Sequence, residues 1–270
     1  MIRGLAPAVG ALVALGLLLC AAPSRAGLAD RVGATFALMA EEFVRAFQPI
    51  EGLIVSVEGD ALYLDLGASG GAQPGQELTI FRKGDEFYHP VTRKPLGRYE
   101  DTLGWAQIRR VQPRFSEARW VPLDGQPSPH ADDGVRITRG RIKIAITPVL
   151  DLAQSKADLR RVPYLLATIL ERSKRFQVTD PLAVGEIFAP GGTRVEEVLG
   201  LPDRATRLAK TLEVAGWLVP VVLERRGVTY LDMTWVSAVT GTALFSRRQP
   251  LVAPSVAEEQ RFPWEPPVED

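Results

Sequence analysis

Two histidines, His89 and His130, and one cysteine, Cys20, are the scarce reactive side chains in 270 residues, and they bound the chemistry open to the chain. Neither histidine has a second at the His-x-x-x-His spacing that turns two imidazoles toward one metal ion, and one thiolate supplies no tetrahedral set. A Ser-His-acid hydrolase would take one of these histidines as its base, but each sits beside a proline, Pro90 or Pro129, in an apparent loop. The glycine-rich Gly67-Ala68-Ser69-Gly70-Gly71 precedes neither Lys-Ser nor Lys-Thr and opens no long helix. It therefore reads as a connecting turn, not a phosphate cradle, and no nucleophile elbow is expected. The pairs Glu41-Glu42, Glu196-Glu197 and Glu258-Glu259 diverge on a helix and read as solvated faces. Arg109-Arg110, Arg160-Arg161, Arg225-Arg226 and Arg247-Arg248 read as surface charge. No catalytic residue, cofactor site or metal site is expected.

The elements that could carry recognition come next. Met1-Ile2-Arg3, the apolar run from Leu5 to Ala22 and the small-residue exit Ser24-Arg25-Ala26 are the three parts of a secretory signal. Pro7, Gly10 and Gly16 within the run favour a cleaved leader over a retained anchor, and Leu19 before Cys20 disfavours lipidation. Cleavage would remove the cysteine and two of the 32 basic residues but none of the 32 acidic ones. The slight acidic surplus argues against nucleic acid as the main ligand. A periplasmic chain stabilised by packing alone is the expectation.

Leu28, Val32, Phe36, Met39, Phe43 and Phe47 recur at three- and four-residue steps, which predicts an amphipathic helix over 28–47 packed on its own domain. From Gly52 the apolar period becomes two, and Glu58-Gly59-Asp60 turns a hairpin. Strands follow at 76–82, 105–111 and 115–121, with the Pro-, Arg- and Lys-rich stretch between Tyr88 and Tyr99 projecting as an arm. Residues 124–140 read as a linker, within which Val135–Ile137 is a short strand that either belongs to the first domain or extends the strand beginning at Arg141. The strand opening at Ile142 starts an α/β unit, followed by a helix from near Pro163, a strand at Phe176–Val178, a helix capped by Asp180, a short helix near Glu196 and a helix capped by Asp203. Three strands end the unit, and Pro220, which cannot donate to a ladder, predicts that Trp217–Glu224 is an edge or is bulged. Residues 253–270 read as a disordered tail whose Phe262 and Trp264 fold back on the protein.

The blocks Val57–Gly67, Pro74–Leu78 and His89–Gly97 resemble the C-terminal SH3-like barrel of the flagellar assembly protein T family, with His89 where an acidic residue is usual and Arg93 where glycine is usual. Residues 141–251, opening on Lys143-Ile144-Ala145-Ile146 with Ser173–Val178 further on, resemble the N-terminal domain of TolB and the related curli secretion protein CsgG. The modules stand in the reverse order to the flagellar protein. The resemblance implies a small SH3-like β-barrel at 51–123 and a TolB-N/CsgG-like α/β domain with a mixed sheet at 141–252; with the leader at 1–26, the N-terminal helix at 27–50, the linker and the tail read from the residues, the chain is expected to be α+β.

A non-enzymatic periplasmic adaptor or scaffold in envelope assembly is therefore expected, with envelope or flagellar assembly proteins as partners and possible peripheral association with the outer membrane or cell wall. Tyr88, Arg93, Lys94 and Tyr99 on the arm, and Trp217, Val219 and Val221 on the strand edge, are the candidate partner-binding residues. The alternative is a sensor that binds a glycan or nucleotide fragment between the domains.

Overall fold

The computed structural model describes residues 27–253, so the leader and the tail read from the sequence lie outside the described residues. Helix α1 (Leu28–Arg45) buries Val32, Phe36, Met39 and Phe43 along one face, as the spacing predicts. Phe36 and Phe43 are fully buried, and each such side chain stabilises the fold by about 2–3 kcal/mol. The face does not pack on the barrel that follows it in sequence. It packs on helix α2 (Val162–Arg172) and on the sheet of the α/β layer, in one cluster with Leu218, Met233 and Trp235. Gly33 allows the close approach of the two helices, since a Cβ there would lie 3.1 Å from Leu165 Cδ1.

Six strands then pair in a closed ring. In chain order they are β1 (Glu51–Glu58), β2 (Ala61–Leu64), β3 (Glu77–Tyr88), β4 (Pro95–Val111), β5 (Ser116–Pro122) and β6 (Gly134–Arg136). Around the ring the order is β1-β2-β5-β4-β3-β6 and back to β1. Alternating residues Leu62, Leu64, Leu78, Ile80, Ala106 and Ile108 fill the interior. The ring closes through β6, inside the stretch read as linker. Gly134 and Val135 pair with Gly52 and Leu53 on one side and with Ile80 and Phe81 on the other. The short strand read at Val135–Ile137 is thus β6, beginning one residue earlier, and of its two possible places it takes the one in the barrel.

The second sheet runs β12 (Ala243–Pro250), β11 (Val228–Ser237), β10 (Gly216–Arg225), β7 (Ile142–Ile146), β9 (Phe176–Val178), and the two-residue β8 (Leu150–Asp151) also pairs with β10. Helices α1 and α2 cover one face. The other is covered by α3 (Pro181–Ile187), α4 (Val195–Gly200) and α5 (Pro202–Leu212), against Trp217, Val219 and Val221. Asp180 caps α3 by accepting from Leu182 N, as expected. The helix expected to be capped by Asp203 instead begins at Pro202, so Asp203 lies in its first turn.

Strand β10 is a central strand, which corrects the expectation of an edge. It pairs with β11 along its whole length and with β7 and then β8 on the other side. The carbonyls of Leu218 and Val222 accept from Thr147 and Leu152 on that second side. By antiparallel alternation Pro220 directs its nitrogen the same way, into the break between β7 and β8. The missing donor therefore costs no ladder bond.

Polar contacts join barrel and sheet, among them the Gln107 side-chain amide on β4 donating to the Thr240 hydroxyl after β11 at 3.1 Å. Arg175, buried just before β9, donates to the carbonyls of Phe47 after α1 and of Thr138 and Gly140 after β6. Burial lowers the proton affinity of its guanidinium. Glu77, at the start of β3, accepts from Gln107 on β4 and from Ser237 on β11, each at 2.8 Å. Burial pushes its carboxyl above the usual range, against the pull of those two donors.

Candidate functional site

Beyond the barrel wall β3 and β4 continue as a two-stranded arm, paired from Arg82↔Asp101 out to Tyr88↔Pro95. Irregularities fall between Lys83 and Glu86 and between Phe87 and Tyr88. The loop at the tip is tightly tied. His89 N donates to Lys94 O and Arg93 N donates to His89 O, both at 2.9 Å. The His89 ring adds two bonds, its Nδ1 accepting from Val91 N at 3.2 Å and Thr92 N at 3.1 Å. This acceptor role requires the tautomer with its proton on Nε2. Arg93 takes a φ of 56°, the left-handed region that favours glycine.

The two faces of the arm differ. Phe87 and Tyr99 stack on one face with ring centroids 4.9 Å apart. On the other, Glu86 pairs with Arg98 at 3.6 Å and accepts the Tyr88 hydroxyl at 2.7 Å. That hydrogen bond, with the Glu86 charge, raises the phenol's pKa. Tyr88 and Tyr99 thus share the arm but not a face. Phe87, absent from the candidate set, is the partner of Tyr99, and strand alternation next to Tyr88 was the signal that could have found it. Val91, Leu96, Tyr88 and Tyr99 are between 51% and 83% exposed, and Arg93 and Lys94 hold the charged tip.

The other candidate residues are placed differently. Trp217 and Val219 are fully buried and Val221 nearly so, under α3–α5, with the Trp217 indole donating to Ala205 O. They are core residues and present no surface to a partner. The reason is the sheet order: the strand read as an edge has neighbours on both sides.

Gly67–Gly71 does spell the spacing Gly-x-Ser-x-Gly, against the expectation that no elbow exists. Ser69 nevertheless sits in a 3-10 turn, Ala68–Gly70, after β2, not between a strand and a long helix. Neither histidine reaches it: the His89 ring serves its own turn, and the His130 ring lies 2.7 Å from Ala131 O. Among the described residues no group of three or more His, Cys, Asp or Glu side chains converges as metal ligands. Of the arginines read as surface charge, Arg247 pairs with Glu42 at 3.0 Å and Arg248 with the buried Asp232 at 2.6 Å.

The α/β layer also carries a groove of about 720 Å³, lined by Pro148, Val149 and Asp151, by residues 157–160 with Pro163 and Tyr164 at the start of α2, and by Pro181, Leu182, Gly185, Glu186, Phe188 and Ala189 around α3. A smaller hollow of about 410 Å³ lies between the last turns of α1 and α2. No barrel residue lines either, so neither is the interdomain cleft expected of a sensor.

No family model matches the chain. In sequence it is 33% identical over 90 residues to an uncharacterized protein of Aquifex aeolicus (strain VF5), a match covering 33% of this chain and spanning only 18% of that protein's length. Among solved structures it is similar to the LpoB C-terminal domain from Escherichia coli, with a TM-score of 0.35 at 14% identity over 43% of this chain and 85% of that one. It is also similar to lipoprotein GNA1162 from Neisseria meningitidis, with a TM-score of 0.32 at 19% identity over 42% of this chain and 82% of that one. Each likeness covers under half of this chain, so its function has to be argued from its own geometry.

Proposed function

We propose that the chain is an extracytoplasmic, non-enzymatic adaptor that acts through protein–protein contacts in the assembly of a bacterial envelope structure, with the β3–β4 arm as its docking surface. The observation that carries this reading is the arm itself. Four large apolar side chains, Tyr88, Val91, Leu96 and Tyr99, stand in solvent on a hairpin whose tip is tied by four hydrogen bonds. An ordered arm loses little freedom on docking, which lowers the entropic cost of association. The secretory signal in the first 26 residues supports the compartment. Among the described residues no helix is long and apolar enough to cross a membrane. The SH3-like reading of the barrel and the TolB-like reading of the second sheet belong to this proposal, supported by the closed six-strand ring and by the mixed sheet with helices on both faces.

The test places a photoactivatable amino acid at Val91 or Tyr99 and irradiates intact cells. A second protein, with residues 84–99 replaced by a two-residue turn, serves as control. Crosslinks to envelope-assembly proteins that vanish with the arm support the proposal, and flagellar basal-body components among them would support its narrower flagellar form. Crosslinks that persist without the arm, or none from either position, overturn it.

A further inference from the structure

We infer that the groove at the carboxyl ends of β7 and β9 is a second binding site, built for an extended apolar peptide segment that carries one Lys or Arg. Its position follows from the topology. The connection from β7 runs through α2 on one face of the sheet, and the connection from β9 runs through α3 on the other. Where successive connections leave an open sheet toward opposite faces, their backbones splay and a crevice opens beyond the strand ends. Here the crevice has about 720 Å³, with walls that include Pro148, Val149, Leu159 and Phe188. That volume and lining suit a few side chains of a bound ligand. Tyr164 and Leu182 stand on its two flanking helices, 46% and 60% exposed, so its rim offers apolar surface to an incoming chain.

The charges select the ligand. Asp151 is committed to its own loop, accepting from Ala153 N, Ser155 N and the Ser155 hydroxyl. Asp158 is occupied by the Arg160 guanidinium, which holds its carboxyl down at about 2. Glu186 lines the groove as an exposed residue, with no hydrogen bond or ion pair to its carboxylate among the described residues. The lining therefore bears three acids against one arginine, with one carboxylate free to pair. In the loop between β8 and α2, which the Asp151 carboxylate ties through Ala153 N and Ser155 N, Gln154 and Lys156 both take left-handed φ values, 53° and 58°, where a non-glycine residue is strained by about 1–2 kcal/mol. The site shares no residue with the arm and does not depend on the arm's role.

The test uses the full chain, immobilised, and two libraries of eight-residue peptides whose remaining positions are Leu, Val, Phe, Tyr or Pro, one with Lys fixed at the fourth position and one with Glu there. The Lys library should be retained about ten-fold better than the Glu library, equivalent to about 1.4 kcal/mol. Leu182→Asp, an exposed change that leaves the core intact, should reduce that retention at least about ten-fold. Glu186→Lys should reverse the preference in favour of the Glu library. Retention of neither library, or retention indifferent to both substitutions, overturns the inference. Deletion of the arm should change none of these results, so the site and the adaptor reading fail separately.

Discussion

Glu77 on the barrel accepts a 2.8 Å hydrogen bond from the hydroxyl of Ser237 on the sheet, and this contact places a carboxylate in the partly buried junction between the two. Burial raises the carboxyl above its ordinary value of 4.5, and the donors Gln107 and Ser237 only partly offset it. A carboxyl whose folded pKa is raised contributes most below its unfolded value, and that contribution is lost as pH rises through the folded one. Glu77→Gln keeps an acceptor for both donors and removes the charge. The melting temperature at pH 7 should rise by about 2–4 °C per kcal/mol recovered, and its fall as pH climbs above the ordinary glutamate value should flatten. A thermal melt series across pH checks both; an unchanged slope would refute this role for Glu77.

Arg82 and Asp133 give the opposite sign. Burial would raise the Asp133 carboxyl, but the Arg82 guanidinium, donating at 2.7 and 2.8 Å, and the His130 backbone N–H outweigh it and leave the pKa lowered. Its stabilising effect is present above the ordinary aspartate value and is lost as pH falls through the lowered one. Arg82→Ala strands a side chain only 1% exposed and should cost about 2–3 kcal/mol at pH 7, less in acid. Urea unfolding at pH 7 and pH 3 measures the difference.

Arg175 satisfies three backbone carbonyls from three segments with one fork. Arg175→Ala should cost about 3 kcal/mol or more, since each orphaned buried acceptor costs about 1–3. Arg175→Lys should recover less than half of it, because an ammonium cannot reproduce the planar geometry. Hydrogen exchange should show the loss as faster exchange around residues 138–142.

At the tip of the arm, His89→Ala should speed amide exchange at Val91 and Thr92, whose donors lose Nδ1, while leaving global stability within about 0.5 kcal/mol. Arg93→Gly should relieve the left-handed backbone and stabilise the turn by about 1 kcal/mol. Exchange rates at the same two amides report both changes.

Long periodic stretches were legible in the sequence. The three- and four-residue spacing of Val32, Phe36, Met39 and Phe43 marks α1, and the alternation of Leu62, Leu64 and Leu66 marks its hairpin. What lay beyond reach was non-local. Nothing near Phe43 says that its ring will meet Phe176 and Phe245, at 6.0 and 5.7 Å, across the intervening barrel. Pro220 gives a sound local signal, a missing donor, but whether that donor faces solvent or a break between two neighbouring strands is decided by Pro148, seventy-two residues away in the chain. The arm was found from composition, yet which of its aromatics share a face depends on irregularities that composition does not show. The groove left no trace, because its walls come from three segments that only the sheet order brings together.

Ile137 N donates to Ile50 O at 2.9 Å, so the barrel begins and ends at a single point. The described chain does much the same: Val252 N donates to the Thr35 hydroxyl and Val252 O accepts from Arg31, both at 3.0 Å. The barrel is thus a cassette spliced between the first helix of a host and the rest of it. During synthesis the ring can close as soon as β6 emerges, whereas the host must keep its phenylalanine-lined helix waiting until the last strands arrive.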